Sequence, residues 1–173
     1  MTYRPLVLFV CTGNTCRSPM AERLFAQLLE SRGEHERLRV ASAGLWAHNG
    51  TPASPEAIAL LREEELDLTD HRAQALTQQM VDEADLILAM ERAHLQDLAM
   101  RFARAQPKAY LLSRIAGKRG DVVDPLVKGS GDYAACRDTL RTFLEEGYDH
   151  IIALAERDPA QKIKRWRWPW QRR

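Results

Sequence analysis

A cysteine and an arginine near the start of the chain have the spacing of a covalent phosphate site. Cys11 and Arg17 are separated by five residues and directly follow an apolar stretch. Five residues can curl so that their backbone N–H groups point inward at a dianion, which the planar guanidinium then clamps. The pattern predicts a phosphatase in which the Cys11 thiolate attacks phosphorus. The alternative is an anion-binding turn that contains an incidental cysteine.

The residues between and after this pair suit such a cradle. The predicted phosphate loop comprises Thr12, Gly13, Asn14, Thr15, Cys16, Arg17 and Ser18. Gly13 permits close approach of the backbone to an anion, and Asn14 tolerates a left-handed conformation. A helix is predicted to begin here, with Ser18 as its N-cap and Pro19 at its first position. The N-terminus of that helix favours a thiolate, and Ser18 can donate a hydrogen bond to the sulfur when it leaves.

These residues resemble the low-molecular-weight protein-tyrosine-phosphatase family, whose signature is V-C-x-G-N-x-C-R-S-P. The resemblance covers about residues 5 to 155. It includes Ser42-Ala43-Gly44, Asp70-His71-Arg72-Ala73, the run from Ala84 to Met90, and Asp124-Pro125. It implies that Cys11 is the nucleophile, Arg17 the phosphate clamp and Asp124 the general acid. The residues that it implies to hold the loop by hydrogen bonds are Asn14, Ser42 and His71.

The predicted acid lies far along the chain, in a loop between the last strand and the last helix. A general acid is needed because the leaving group must not depart as a high-energy anion, and it contributes typically about 10²- to 10⁴-fold. Taken alone, Asp124-Pro125 is more typical of a simple turn, and the acid role is favoured only in combination with the cysteine loop. Asp121 is the second candidate for the acid.

Three positions bear on the substrate, namely Thr15, Trp46 and Leu126. Family members that act on phosphotyrosine usually carry an aliphatic residue in place of Thr15 and aromatic residues just after Asp-Pro. Members that resemble protein-arginine phosphatases carry threonine, whose hydroxyl can accept a guanidinium N–H. We therefore expect phosphoarginine in proteins to be preferred over phosphotyrosine, although Thr15 can also be read as an isostere of valine. Trp46 can form a wall of the pocket, but an indole stacks on either a phenyl ring or a guanidinium.

The other two cysteines suggest regulation or packing. Cys16 either forms a reversible disulfide with Cys11 that prevents its overoxidation, or it fills a small buried space. Cys136 falls on the apolar stripe of the last helix, where it is expected to fill the core. Arsenate reduction on the same scaffold needs further redox cysteines, and no cysteine pair occurs between residues 70 and 95. A non-catalytic phosphate-binding module would not need both a nucleophile and an acid.

Strand and helix patterns alternate along the chain. Strands are predicted over Pro5–Val10, Leu38–Ala41, Asp85–Ala89 and Lys108–Leu112, and helices over Pro19–Ser31, Ser54–Glu64, a short segment capped by Thr77, Glu91–Arg104 and a long segment from Asp132. This order predicts an α/β fold, a single doubly wound domain with a central four-stranded parallel sheet and helices on both faces. Ligands bind beyond the carboxyl ends of such strands, where Cys11 lies. Gly147 is predicted to be a weak point of the long helix.

The composition suits one domain with a tail. With 173 residues and 45% hydrophobic content, the chain is expected to form a phosphatase domain over residues 1–157. Residues 158–173 form a basic tail whose last twelve residues hold six Lys or Arg, three of the four Trp and no acidic residue. This mixture favours an anionic membrane surface over nucleic acid, the alternative being a solubilising end. We expect a cytoplasmic protein that acts on phosphorylated proteins without a cofactor or a metal, since the five histidines show no metal-ligand spacing.

Overall fold

The computed structural model describes residues 3–126 and 132–157, so the predicted tail lies outside the described residues. The strands are β1 (Leu6–Cys11), β2 (Arg39–Gly44), β3 (Leu86–Ala89) and β4 (Ala109–Leu111). The helices are α1 (Arg17–Ser31), α2 (Pro55–Arg62), α3 (Gln78–Glu83), α4 (Arg92–Arg101), α5 (Leu112–Ile115) and α6 (Tyr133–Ala155), with a 3₁₀ helix over Ala103–Lys108. None of the helices in this described part is long and apolar enough to cross a membrane.

The four strands form one parallel sheet in the order β2-β1-β3-β4. Val10 of β1 is in register with Ala43 of β2 and Ala89 of β3, and Ala89 is in register with Leu111 of β4. The carboxyl ends of all four strands therefore lie along one edge of the sheet. Cys11 closes β1, one of the two central strands, at that edge.

Alternate residues of each strand pack into two separate hydrophobic clusters, as a sheet covered on both faces requires. Val7 and Phe9 point into a cluster formed with α1, α2, α5 and α6. Leu8 and Val10 point into a second cluster formed with α3, α4 and the 3₁₀ helix. The predicted doubly wound sheet with helices on both faces is confirmed.

The start of α1 differs from the prediction. The helix begins at Arg17 rather than Pro19, Cys16 occupies the N-cap position, and no side chain caps the helix. Ser18 was a wrong prediction for the cap because its hydroxyl is buried and accepts a hydrogen bond from Asn14 instead. The phosphate loop thus runs directly into the helix without the usual capping residue.

Gly147 is a close contact between helices rather than a weak point. A Cβ at this position would lie 3.3 Å from Cγ2 of Ile115 and 3.4 Å from the backbone nitrogen of Ala116. The missing side chain therefore lets α6 approach α5 closely. The apolar stripe of α6 faces the core as predicted, with Tyr133, Leu140, Leu144 and Ile151 buried and Phe143 and Leu154 partly buried.

Candidate active site

The thiol of Cys11 lies at the base of the loop that connects β1 to α1. The residue is buried, and its Sγ lies 2.9 Å from Oγ of Ser18. The backbone N–H of Asn14 donates to the same sulfur at 3.3 Å. A hydroxyl and an amide therefore both reach the sulfur, and both can stabilise a thiolate.

The loop also presents backbone donors. The N–H groups of Gly13, Thr15 and Cys16 have no acceptor among the described residues. They precede the N-terminus of α1, where an anion can satisfy them. The predicted phosphate loop therefore has the donors of an anion cradle directly beside a buried thiol.

Asn14 links the loop to three neighbouring segments. It is fully buried and has a φ of 55°, the left-handed conformation expected from its residue type. Its amide nitrogen donates to Oγ of Ser18 and to Oγ of Ser42, each at 2.9 Å. Its amide oxygen accepts the backbone N–H of Gln74 at 2.9 Å. One side chain thus joins the loop to α1, β2 and the segment that precedes α3.

The other two residues that the resemblance implied for this network are in contact with it. Nε2 of His71 lies 2.7 Å from the backbone oxygen of Asn14. Ser42 donates to the carboxylate of Glu22 at 2.6 Å, so Glu22 on α1 completes the network. Gln74, which sequence reasoning missed, joins it through its backbone N–H and through its side-chain amide, which donates to the backbone oxygen of Ser42 at 2.9 Å.

Gly44 leaves room for the loop to pass the end of β2. A Cβ at Gly44 would lie 2.7 Å from the backbone oxygen of Thr12 and 3.0 Å from the backbone nitrogen of Asn14. The next residue, Leu45, donates its N–H to the backbone oxygen of Cys11 at 2.9 Å. The Ser42-Ala43-Gly44 segment therefore supports the loop partly by lacking a side chain.

Arg17 is a buried cation between two carboxylates. Its guanidinium forms ion pairs with Glu91 and, at 2.6 Å, with Asp124, and it donates to the backbone oxygen of Val122 at 3.1 Å. Burial opposes its charge, but the hydrogen bond to Glu91 and the nearby negative groups outweigh burial and raise the pKa of Arg17. The guanidinium is therefore charged and held in a fixed orientation.

The sequence did not single out Glu91, although its position at the carboxyl end of β3, next to β1, is a signal that could have found it.

The two candidate acids occupy different surroundings. Asp124 places Oδ2 on Arg17 and accepts the backbone N–H of Leu126 on Oδ1 at 3.0 Å. Asp121 instead accepts the backbone N–H of Arg92 at 3.2 Å and lies 3.5 Å from its Nε. Of the two, only Asp124 touches the arginine of the phosphate loop, which places its carboxyl group at the site.

Thr15 presents an unused hydroxyl. The side chain is half-buried, and Oγ1 has no hydrogen-bond partner among the described residues. The backbone of the same residue is fixed, because its oxygen accepts the N–H of Ser54 at 2.8 Å. The hydroxyl can therefore accept a hydrogen bond from a bound molecule without breaking a hydrogen bond inside the protein.

Trp46 and Leu126 are both 61% exposed. The Trp46 backbone N–H donates to the backbone oxygen of Thr12, so the residue stands beside the phosphate loop. Its indole N–H donates to Asp97 at 3.3 Å, and the guanidinium of Arg101 lies 4.5 Å from the ring centroid. The side chain is thus held by α4 while its surface stays accessible.

His94 is a buried contact of the loop that sequence reasoning missed. Its Nδ1 accepts the backbone N–H of Glu91 at 3.2 Å, so Nε2 carries the proton and donates to Oγ1 of Thr12 at 2.9 Å. Burial, followed by the charge of Arg17, lowers the pKa of His94, and the ring is neutral at pH 7. No local pattern connects Thr12 and His94, because the contact depends on β3 lying beside β1.

Cys16 and Cys136 are both buried in the cluster between the sheet, α1 and α6. Hydrogen bonding with the Cys136 thiol, and then burial, raises the pKa of the Cys16 thiol. Cys136 packs in the core as predicted, and all three cysteines are free. That Cys16 and Cys136 share one buried cluster was not predicted.

Across residues 3–126 and 132–157, no group of three His, Cys, Asp or Glu side chains is arranged to hold a metal ion.

A parallel sheet that carries a cysteine-to-arginine phosphate loop at its carboxyl edge, with an aspartate on the arginine, defines the class of cysteine-dependent protein phosphatases. The family model described as "Low molecular weight phosphotyrosine protein phosphatase" matches residues 6–158. The chain belongs to this family.

The relatives of this chain include both protein-arginine phosphatases and protein-tyrosine phosphatases. The chain is 40% identical over 141 residues to the protein-arginine-phosphatase of Bacillus subtilis, covering 81% of this chain and 92% of the relative. It is 41% identical over 151 residues to low molecular weight protein-tyrosine phosphatase A of Mycobacterium tuberculosis, covering 84% and 90%. A cysteine-to-serine mutant of the arginine phosphatase YwlE, solved with a phosphorylated active-site serine, is similar with a TM-score of 0.77 and 36% identity, covering 90% of this chain and 98% of that one.

Proposed function

We propose that this protein removes the phosphoryl group from phosphoarginine in proteins through a cysteinyl-phosphate intermediate. The observation that carries the proposal is the free hydroxyl of Thr15 inside the phosphate loop. A guanidinium leaving group carries N–H donors, and a tyrosine ring has none at the corresponding edge. The similarity to proteins named protein-arginine-phosphatase supports the same substrate.

In the first step, the Cys11 thiolate forms an S–P bond as the P–N bond of phosphoarginine breaks. Arg17 and the loop N–H groups bind the phosphoryl oxygens, on which charge is spread in the transition state. Protonated Asp124 delivers its proton to the departing guanidine nitrogen. Ser18 lies 2.9 Å from the sulfur, within hydrogen-bond distance.

In the second step, a water molecule forms an O–P bond as the S–P bond breaks. Asp124, now a carboxylate, accepts the proton of that water, so the residue ends the cycle protonated. Inorganic phosphate leaves, and Cys11 returns to a thiolate that Ser18 and the N–H of Asn14 stabilise. The relative that holds a phosphorylated serine at its active site supports a phosphoenzyme in this family.

Replacement of Thr15 tests the substrate. Thr15→Ile removes the acceptor and adds an apolar wall, which costs about 1–3 kcal/mol where a buried donor is left unpaired. The kcat/KM for phosphoarginine peptides is therefore expected to fall roughly five- to hundredfold. Because a phenyl ring has no polar group there and is accommodated as well or better, the kcat/KM ratio of phosphoarginine to phosphotyrosine peptides should fall at least about tenfold. Thr15→Ser, which keeps the hydroxyl, is the matched control and should keep the ratio, while adding Leu126→Tyr to Thr15→Ile should lower it further.

The second candidate is phosphotyrosine, favoured by the 41% identity to a protein-tyrosine phosphatase. The accessible indole of Trp46 beside the loop suits a phenyl ring as well as a guanidinium. A wild-type chain that hydrolyses phosphotyrosine peptides faster, or a ratio that Thr15→Ile leaves unchanged, would replace the first proposal with this one.

We also propose a cytoplasmic location, with contact to an anionic membrane surface through the basic, tryptophan-rich residues 162–173. This part of the proposal rests on sequence alone, because the segment lies outside the described residues.

A further inference from the structure

A basic pocket lies at the carboxyl end of β4. It has a volume of about 270 Å³ and is lined by Arg92, Leu111, Arg114, Arg119 and Gly120. The side chains of the three arginines are exposed, and Asp121 is the carboxylate that pairs with Arg92. In the described part of the chain, the guanidinium groups of Arg114 and Arg119 have neither an ion-pair nor a hydrogen-bond partner. The pocket therefore offers two unpaired planar cations to a ligand.

The strand register places this pocket close to the reaction centre. Leu111 pairs with Ala89, and Ala89 pairs with Val10, the residue before the nucleophile. Neighbouring strands are about 4.8 Å apart, so the end of β4 lies about 10 Å from the end of β1 along the sheet edge. Arg92 also directly follows Glu91, which holds Arg17. The pocket and the phosphate loop thus lie along the same edge, where a protein substrate must bind.

We propose that this pocket binds an acidic side chain of the phosphorylated protein, two to four residues away from the phosphorylated residue. A carboxylate matches a guanidinium in a planar, bidentate geometry. An extended peptide advances about 3.3 Å per residue, so about three residues span the distance between the two strand ends. The inference rests on the proposed action on phosphoproteins, but it applies equally to a phosphoarginine or a phosphotyrosine substrate.

Matched peptides test this subsite. Each peptide carries one phosphorylated residue and either Glu or Gln two to four residues away from it, on its N-terminal or its C-terminal side. One series contains phosphoarginine and the other contains phosphotyrosine. In each series, we expect the Glu peptide that is hydrolysed fastest by the wild type to have a kcat/KM about fivefold or more above that of its Gln partner, mainly through a lower KM. The preference should decline as salt is added, because exposed charges are screened.

The variant Arg114→Gln/Arg119→Gln should lose the preference, with a Glu-to-Gln ratio near one. A control of equal charge, Arg62→Gln/Arg104→Gln, removes two exposed arginines outside the pocket, of which Arg104 pairs with Asp82, and should keep the ratio. Turnover of para-nitrophenyl phosphate, which has no flanking residues, should be equal in all three proteins. A wild type without the preference, or a preference that survives in Arg114→Gln/Arg119→Gln, overturns the proposal.

The two proposals fail in different ways. The acid preference is a ratio within one peptide series, whereas the phosphoarginine preference is a ratio between the two series. A wild type that favours phosphotyrosine yet keeps the Glu preference would reject the proposed substrate and retain the subsite. The reverse result would reject the subsite alone.

Discussion

The phosphate loop and the segment that carries Asp124 are held in contrasting ways. The loop, residues 11–17, is bonded by side chains from α1, β2, α4 and the segment before α3. In the acid segment, residues 117–126, Asp121 and Val122 are bonded to neighbouring elements, whereas Asp124, among the described residues, bonds outside the segment only to Arg17. Gly117 and Gly120 have positive φ values of 70° and 94°, and Val123 and Leu126 are exposed.

The phosphate loop must keep a fixed geometry, whereas the acid Asp124 must move during the reaction. The bonds that hold the loop approach it from outside, so phosphate can enter without breaking them, and the donors are preorganised. The contact of Asp124 with the loop is its ion pair with Arg17, the same group that phosphate must engage. The Asp124 side chain must therefore shift when substrate binds, and it has no other bond outside its own segment, among the described residues, that would oppose the shift.

Removal of the nucleophile should have the largest effect. Cys11→Ser is expected to lower kcat by more than about 10⁴-fold, because a serine hydroxyl is far less ionised than the thiol at neutral pH. Since the loop is held from outside, binding of vanadate should stay within about threefold of wild type, measured by calorimetry. Retained turnover would contradict the mechanism, and lost vanadate binding would contradict the independence of loop and nucleophile.

Removal of the acid should have a smaller effect that depends on the leaving group. Asp124→Asn is expected to slow phosphoenzyme formation by about 10²- to 10³-fold for leaving groups of high pKa, and far less for good ones. Burst kinetics across a series of aryl phosphates measures this slope. Asp121→Asn is the matched control and should leave the slope unchanged. An equal loss for every leaving group would move the acid role away from Asp124.

The smallest effect is expected where one of several outer bonds of the loop is removed. His94→Ala and Thr12→Val each break the bond between Nε2 and Oγ1 and should lower kcat/KM by about five- to tenfold. Because both remove the same contact, the double variant should lose little more than either single one.

A matched control for that pair is His150→Ala, which breaks a 3.1 Å bond from the imidazole to the backbone oxygen of Ile115, far from the loop in sequence. It should leave kcat/KM unchanged. Additive losses in the double variant would show that His94 and Thr12 act separately.

Local chemistry made much of this predictable. The buried strands and the parallel sheet follow from apolar runs that alternate with helical patterns. The clustering of Asn14, Ser42 and His71 around the loop was implied by the family resemblance. The predicted start of α1 was wrong because Ser18 has the residue type of an N-cap, but its hydroxyl accepts a hydrogen bond from the side chain of Asn14.

Contacts that depend on the order of strands in the sheet could not be predicted from the sequence. Glu91 and His94 lie 74 and 82 residues from their loop partners, and β3 had to be placed beside β1 before they could be connected to the site. The neighbouring thiols of Cys16 and Cys136 were missed for the same reason, since α6 had first to be packed against the start of α1.

The ion pair between Arg17 and Asp124 also sets a competition for any inhibitor that mimics phosphate. Such a compound must displace a carboxylate 2.6 Å from the guanidinium before it gains that contact for itself. Its apparent Kd is then its intrinsic Kd divided by the fraction of molecules in which the pair is open. Every Kd measured on the unaltered chain is therefore raised by this internal competition between Asp124 and the inhibitor. Binding of the weakest fragments is then the first to fall below the limit of detection.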